Sequence, residues 1–205
     1  MIAFHIDMNV AQFRMEYLER WLHELRALQY DTIIWEVENM IRWESCPECV
    51  SPDAFTKDDF RKLLRLCNKL GFESIPLLQT ISHGEYVLKH EKYRHLRELD
   101  GELMQYCPLN SALLPFLKNW IDEYLELFGA VKHFHIGADE TWLLGRCDHC
   151  KEYVVANSMS KLFTQHVSKI CNYLLDRDIR PMMWADMLLT HPETITDIDR
   201  RVIML

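Results

Sequence analysis

The sequence contains no long apolar run and no excess of positive charge. No segment approaches the roughly 18 consecutive apolar residues that a helix needs to cross a bilayer, and the N-terminus reaches His5 and Asp7 too early for the apolar core of a signal peptide. Lys and Arg number 23 against 31 Asp and Glu, for a net charge of −8, and no Lys- or Arg-rich stretch could neutralise a phosphate backbone. We therefore expect no membrane partner, no export and no nucleic acid partner.

Internal repeats, low-complexity tracts and linkers are also missing. The chain has 205 residues, of which 49% are hydrophobic, and this predicts one globular domain with a sizeable core. Its seven cysteines are an odd number, which fits a reducing compartment better than a framework of disulfides. A cytoplasmic location is the expectation that follows.

Short apolar runs alternate with longer stretches in which apolar residues recur every three or four positions. This alternation predicts βα units and a parallel sheet. Helices are expected from about 13 to 28, 56 to 71, 111 to 128 and 158 to 176. The predicted strands are 2–7, 32–38, 72–78, 131–137 and 179–186, with a sixth that begins at Arg201.

In each predicted strand the polar residues lie near the carboxyl end. Their position distinguishes between two α/β architectures. A doubly wound sheet has nearly continuous apolar strands, whereas a barrel turns polar inside, toward the carboxyl ends of its strands. The pattern favours a (β/α)8 TIM-barrel type. Such a barrel has eight strands in about 250 residues, so residues 1–205 are expected to form its N-terminal part, about five and a half βα units, with the C-terminal strands missing. Pairing of the exposed sheet edges would make a homodimer plausible.

In this barrel the strand ends gather polar side chains around one mouth. Carboxylates accept hydrogen bonds from hydroxyl groups and an indole stacks on the C–H face of a ring, so the set suits a sugar. For the adjacent Asp139 and Glu140 both to reach the mouth, the chain must bend after Gly137. The alternative is that such acidic residues only cap the following helices. The set comprises Asp7, Glu36, Glu38, Asp139, Glu140, Trp184 and Asp186, with His83 from a loop.

The string His135-Ile-Gly-Ala-Asp139-Glu140 matches a His-x-Gly-x-Asp-Glu signature. On this motif the chain resembles glycoside hydrolase family 20, the β-N-acetylhexosaminidases, and is most similar to its hexosaminidase D branch. The resemblance extends over essentially the whole chain, because further blocks of that branch occur in the same order. These blocks are EVENM (36–40), IPLLQTISHGEYVLKH (75–90), LRELDGELMQYCPLN (96–110) and MMWADM (182–187).

The resemblance implies a retaining, substrate-assisted reaction that requires no cofactor. The 2-acetamido oxygen of a terminal N-acetylglucosamine or N-acetylgalactosamine would attack the anomeric carbon and form an oxazolinium ion. Asp139 would bind the acetamide N–H and stabilise the positive charge. Glu140 would protonate the leaving oxygen and then deprotonate water.

Further site residues follow less directly from the resemblance. The amino sugar is expected to contact Trp184, Asp7, Glu38, His83, Asp186 and His135. The alternatives are that His83 braces a loop and that Trp184 fills the barrel. For His133 and His135, both inside the barrel, a hydrogen-bonded core histidine is favoured. The family often binds outer hydroxyl groups with an arginine near the first strand, and here only Arg14 follows that strand.

Two Cys-x2-Cys pairs follow the second and fourth strands, at 46–49 and 147–150. Four thiolates on two-residue spacers form a zinc-ligand pattern. A structural zinc bound by Cys46, Cys49, Cys147 and Cys150, with His149 as an alternative ligand, is one hypothesis. Four reduced thiols in separate loops is the other, since the two strands are not nearest neighbours.

Two other functions remain open from the sequence. One is a carbohydrate-binding or degenerate barrel without turnover. The other is a metal-dependent hydrolase that uses His133, His135 and the carboxylates. The Asp-Glu motif and the lack of a paired-histidine metal motif favour the glycosidase.

Overall fold

The computed structural model describes residues 1–9 and 11–205. Its six strands form one parallel sheet in sequence order, as the βα alternation predicts. This is the topology of a (β/α)8 TIM barrel, of which the chain forms six strands. The strands are β1 Ala3–Asp7, β2 Thr32–Glu36, β3 Glu73–Leu77, β4 His133–His135, β5 Arg180–Met183 and β6 Ile203–Met204.

Four long helices connect successive strands, close to the predicted positions. They are α1 Met15–Ala27, α2 Lys57–Leu70, α4 Leu113–Phe128 and α6 Met159–Leu175. Three shorter helices, which the sequence did not predict, are α3 Glu85–Leu88, α5 Asp148–Ala156 and α7 Asp186–Thr190. Within the described residues there are also four 3-10 segments, at Glu38–Met40, Pro47–Cys49, Glu91–Leu96 and Pro192–Asp197. Over the described residues, no helix is both long enough and apolar enough to span a bilayer.

Helix α2 shows how local sequence sets an element's limits. The Thr56 hydroxyl accepts the backbone N–H of Asp59 at 3.1 Å, a cap that stabilises a helix by about 1 kcal/mol. Gly71 ends the helix in a left-handed conformation, with φ +79°. Between them, Phe60 and Leu63 are fully buried against the sheet. The helix therefore begins and ends where its caps place it.

The core has two parts, one on each face of the sheet. The larger part lies between the strands and the helices and includes Ile33, Trp35 and Phe134. The smaller part fills the inside of the barrel. It consists of Ile34, Ile75, Leu77 and Met182, with Trp184 and Ile203 packed against them. Side chains along β2 therefore alternate, with Ile33 and Trp35 toward the helices and Ile34 toward the barrel interior.

Strands β2 to β5 end earlier than predicted, whereas β1 ends at Asp7 as predicted. Glu38 has φ +38°, and Gly137 and Ala138 have φ +68° and +74°. These values lie outside the extended region, so β2 and β4 stop before the residues that carry the polar side chains. Glu38 begins a 3-10 segment, and Asp139 and Trp184 lie in loops beyond the strands.

Candidate active site

The carboxyl ends of the strands surround a small polar cavity of about 190 Å³. It is lined by His5, Asp7, Asn9, Glu36, Glu38, Gln79, His83, Asp139 and Trp184. A second cavity of about 320 Å³ shares Asp139 and Trp184 with the first and is also lined by Glu140, Trp142 and Asp186. The two cavities meet at Asp139, so one ligand could extend through both.

A larger groove of about 670 Å³ lies at the other end of the sheet, around the starts of β3 and β4. Arg61, Arg65 and Lys132 line it together with Glu73 and Glu126. Barrels of this type carry their active sites at the carboxyl ends of the strands. We therefore assign the candidate site to the two smaller cavities.

The bend after β4 brings both carboxylates of the Asp-Glu pair to the mouth. A Cβ atom on Gly137 would overlap Oε1 of Gln79, and φ is +68° there, so only glycine fits this position. Ala138 and Glu140 are also left-handed, with φ +74° and +48°. Such conformations cost roughly 1–2 kcal/mol per residue for side chains other than glycine. Strain of this kind concentrates at functional sites.

Asp139 and Glu140 meet at one histidine. His83 Nε2 lies 3.2 Å from Asp139 Oδ2 and 3.6 Å from Glu140 Oε2, with the geometry of ion pairs rather than of aligned hydrogen bonds. Contact with Asp139 raises the pKa of His83 above its usual value. Burial acts to raise the pKa of Asp139. Contact with His83 outweighs this effect, so the pKa of Asp139 lies below its usual range. Asp139 is therefore ionised at neutral pH.

The remaining oxygen of Asp139 is available to a ligand. Oδ1 is buried and has no hydrogen-bond partner within the described part of the chain. A buried carboxylate oxygen normally has a donor. An N–H group on a bound ligand would supply one here.

Glu140 is held through its backbone while its side chain stays free. Its N–H donates to Asp186 Oδ2 at 2.9 Å, and its carbonyl oxygen accepts the N–H of Trp142 at 2.8 Å. The Glu140 side chain is 54% exposed and that of Asp139 is 23% exposed. Asp186 thus positions the loop and also lines the second cavity.

A polar network across β1, β2 and β3 forms the floor of the first cavity. Gln79 Nε2 donates to Glu36 Oε1 at 2.9 Å, and His5 Nε2 lies 2.8 Å from Glu36 Oε2. Gln79 and Asn9 were not predicted from the sequence. For Gln79, the one sequence feature that could have predicted a place in the site is its position just after β3.

Glu38 lines the cavity as a neutral acid. The residue is 2% exposed, and neither carboxyl oxygen has a hydrogen-bond partner in residues 1–9 and 11–205. Burial, with further contributions from Glu36 and Asp7, raises the pKa of Glu38 to about 9. At neutral pH this side chain can donate a hydrogen bond as well as accept one.

The placement of His135 corrects one expectation. It is fully buried and does not line either cavity, so it is not a direct sugar contact. Its Nδ1 accepts the N–H of Gly137 at 3.0 Å, its ring lies 4.6 Å from that of Trp184, and burial lowers its pKa to about 3. His135 is a neutral core histidine that supports the bend and the Trp184 indole.

His133 lies away from the mouth. Its Nδ1 is 2.6 Å from Glu73 Oε1, at the start of β3. His133 thus lies at the start of β4, whereas Asp139 and Glu140 lie beyond its carboxyl end. The geometry gives no support to a metal-dependent hydrolase that combines His133 and His135 with these carboxylates.

The structure contradicts both hypotheses for the four cysteines, a shared zinc and four reduced thiols. Cys46 and Cys49 form a disulfide with each other. Cys147 and Cys150 instead lie beside Cys107, with sulfur–sulfur distances of 3.6 and 3.7 Å. Strand β3 separates β2 from β4 in the sheet, which keeps the two Cys-x2-Cys loops apart.

The chain is similar in sequence to known glycoside hydrolases. The sequence model of the glycosyl hydrolase family 20 catalytic domain matches residues 40–204. Hexosaminidase D of Bos taurus is 31% identical over 194 residues, which cover 92% of this chain and 56% of the relative. Hexosaminidase D of Homo sapiens is 30% identical, over 92% of this chain and 40% of the relative. The chain thus spans about half the length of these curated relatives, or less.

Solved structures show the same fold. The Flavobacterium johnsoniae chitobiase superposes with a TM-score of 0.83 at 18% identity, over 98% of this chain and 33% of that one. The β-N-acetylhexosaminidase of Bacteroides fragilis gives 0.82 at 15% identity, over 98% and 44%. The match of the family's catalytic domain to most of the sequence decides the assignment. This chain belongs to glycosyl hydrolase family 20.

Proposed function

We propose that this site hydrolyses β-glycosides of N-acetylglucosamine or N-acetylgalactosamine from their non-reducing ends, by a retaining, substrate-assisted reaction. The observation that carries the proposal is the arrangement of Asp139 and Glu140. The bend at Gly137 brings both to the mouth, one half-buried beside His83 and the other exposed at the border of the second cavity. Two adjacent carboxylates with different surroundings suit two different tasks.

Asp139 acts on the acetamide group. Its free Oδ1 accepts the acetamide N–H, which orients the carbonyl oxygen toward the anomeric carbon. Because Asp139 is ionised, it stabilises the positive charge that develops on the oxazolinium ring. His83 fixes Oδ2 and so keeps Oδ1 directed at the substrate.

Glu140 acts on the leaving group and on water. Its exposed carboxyl group protonates the glycosidic oxygen as the bond to the anomeric carbon breaks. The resulting carboxylate then removes a proton from the water that opens the oxazolinium ring. Trp142 lies in the same cavity and is 55% exposed, so its indole offers an apolar surface to the leaving group.

The first cavity would hold the amino sugar itself. Trp184 forms part of its wall, and Asp7 and Glu36 offer acceptors to hydroxyl groups. The protonated Glu38 can donate to a sugar oxygen. These roles would use the acidic groups that converge on the cavity.

A pair of aryl glycosides tests the proposal. The aryl N-acetyl-β-glucosaminide should be cleaved, and the aryl β-glucoside, which lacks the acetamide nucleophile, should not. Glu140→Gln should lower kcat on the first substrate by about 100-fold or more, whereas the matched Glu126→Gln, on an exposed helix surface, should not. Equal cleavage of both glycosides, or full activity in Glu140→Gln, would contradict the mechanism. Binding of N-acetylglucosamine without any cleavage would favour a carbohydrate-binding barrel.

A further inference from the structure

A second cluster of reactive side chains lies outside the two cavities. Glu98, Cys107, Cys147 and Cys150 each place one ligand atom within 4.8 Å of all the others. Three of the four residues are buried, and Cys147 is half-buried. The cluster draws on two segments that are far apart in sequence, residues 98–107 and residues 147–150. It forms only in the folded protein.

The distances in this cluster match those of a tetrahedral metal site. Cys107 Sγ lies 3.6 Å from Cys147 Sγ and 3.7 Å from Cys150 Sγ, and Cys150 Sγ lies 3.3 Å from Glu98 Oε2. Zinc binds thiolate sulfur at about 2.3 Å and carboxylate oxygen at about 2.0 Å, so a tetrahedron has sulfur–sulfur edges of about 3.8 Å and sulfur–oxygen edges of about 3.5 Å. A zinc ion would fit with little movement.

Neighbouring groups already orient the ligands. Glu98 Oε1 accepts the backbone N–H of Arg146 at 2.6 Å and of Cys147 at 3.0 Å, which leaves Oε2 facing the sulfurs. The Cys147 sulfur accepts the N–H of Cys150 at 3.4 Å, at the start of α5. Hydrogen bonds of this kind fix ligand orientation in metal sites.

The charge of the cluster also calls for a cation. Glu98 is 2% exposed, and within the described chain no Lys, Arg or His side chain lies within ion-pair distance of it. Buried carboxylates are normally paired with a cation or coordinate a metal. The cysteines beside it are soft ligands, which select zinc over magnesium or calcium.

We propose that Glu98, Cys107, Cys147 and Cys150 bind one structural zinc ion. The ion would join the loop after β4 to the hairpin of residues 97–107. That hairpin is bonded in turn to the loop after β3, through Tyr106 N–H to Ile81 O at 3.0 Å and Gly84 N–H to Met104 O at 2.9 Å. Because the loop after β3 carries His83, the zinc would hold together the two loops that flank the active site. It takes no part in the glycosidase chemistry.

Metal content of the 205-residue chain tests the site. Protein expressed with zinc and dialysed should retain about one equivalent by elemental analysis. After replacement of zinc by Co²⁺, it should show thiolate-to-metal charge transfer and the visible bands of tetrahedral cobalt. Cys107→Ser and Glu98→Gln should each lower the metal affinity by about 10-fold or more. Cys171→Ser, which also alters a buried thiol, and Cys46→Ser should both retain the metal.

Three results would overturn the proposal. One is a chain that is free of metal and gives no cobalt charge-transfer band. Another is a disulfide among Cys107, Cys147 and Cys150 found by mass spectrometry of the freshly purified protein. The third is equal metal content in Cys107→Ser, Glu98→Gln and the unaltered chain. If Cys107→Ser fails to fold, the cobalt spectrum of Glu98→Gln still decides, since this change keeps the three thiolates and replaces one oxygen ligand.

Discussion

Glu38 is a buried carboxyl group whose pKa of about 9 links the site to stability. The unfolded chain loses this proton above about pH 4.5, whereas the folded protein keeps it until about pH 9. Between these two values the folded protein binds one proton more than the unfolded chain, so Glu38 makes the protein less stable as the pH rises.

Replacement of Glu38 by glutamine should remove this pH dependence. Glu38→Gln keeps the shape but cannot ionise, so at pH 7 it should be more stable than the unaltered chain by about 3 kcal/mol. The difference should shrink toward zero near pH 4. Denaturant unfolding at several pH values measures it, with the exposed Glu126→Gln as the control. A difference that does not vary with pH would mean that Glu38 is ionised in the folded protein.

At the same scale, the sequence predicted some site residues and missed others for physical reasons. Asp139 and Glu140 could be identified from the sequence because they belong to one contiguous motif. Gln79 and Cys107 contact residues that are far away in sequence, so no local pattern marks them. The spacing of Cys147 and Cys150 drew attention to them as a pair, but it carries no information about which third thiol lies beside them.

At the scale of elements, the loop after β4 depends on a glycine. Gly137→Ala would place a methyl group against Gln79 and force alanine to φ +68°. We expect a loss of roughly 2 kcal/mol or more in the free energy of unfolding. Gly101→Ala is the matched control, because a Cβ there meets no atom within 4 Å. Thermal unfolding of the two variants gives the comparison.

A second substitution separates the steric overlap with Gln79 from the strain of the left-handed backbone at position 137. Gln79→Ala removes the overlapping side chain, so the double variant Gly137→Ala with Gln79→Ala should lose less than the sum of the two single changes. The strain of the left-handed alanine would remain. Additive losses would show that Gln79 does not restrict position 137.

The elements also show where hydrophobic patterns stop being informative. The four long helices were predicted because each buries an apolar stripe against the sheet. Helix α5 was missed because only Cys150 is buried among its residues, so no apolar periodicity marks it. The hairpin of residues 97–107 was also missed. Backbone hydrogen bonds to the loop after β3 hold it in place, and such bonds leave no apolar pattern in the sequence.

At the scale of the whole molecule, the sheet is open. Strands β1 and β6 are its two edges, and the chain spans about half the length of the curated hexosaminidases D. Unpaired edges favour association, so the 205-residue chain in isolation is expected to dimerise reversibly. Sedimentation velocity over a range of concentrations measures this. A single monomeric species throughout would contradict the prediction.

The central proposal is that Asp139 and Glu140 form an assembled acetamide site. Its most direct measurement is thermal unfolding with and without an N-acetylglucosamine-derived thiazoline, which mimics the oxazolinium intermediate. At a hundredfold excess over Kd the midpoint should rise by about 5 °C or more. The rise should be unchanged in the exposed Asp58→Asn control and largely lost in Asp139→Asn. A cooperative transition that the thiazoline does not move, or moves equally in Asp139→Asn, would contradict the proposal.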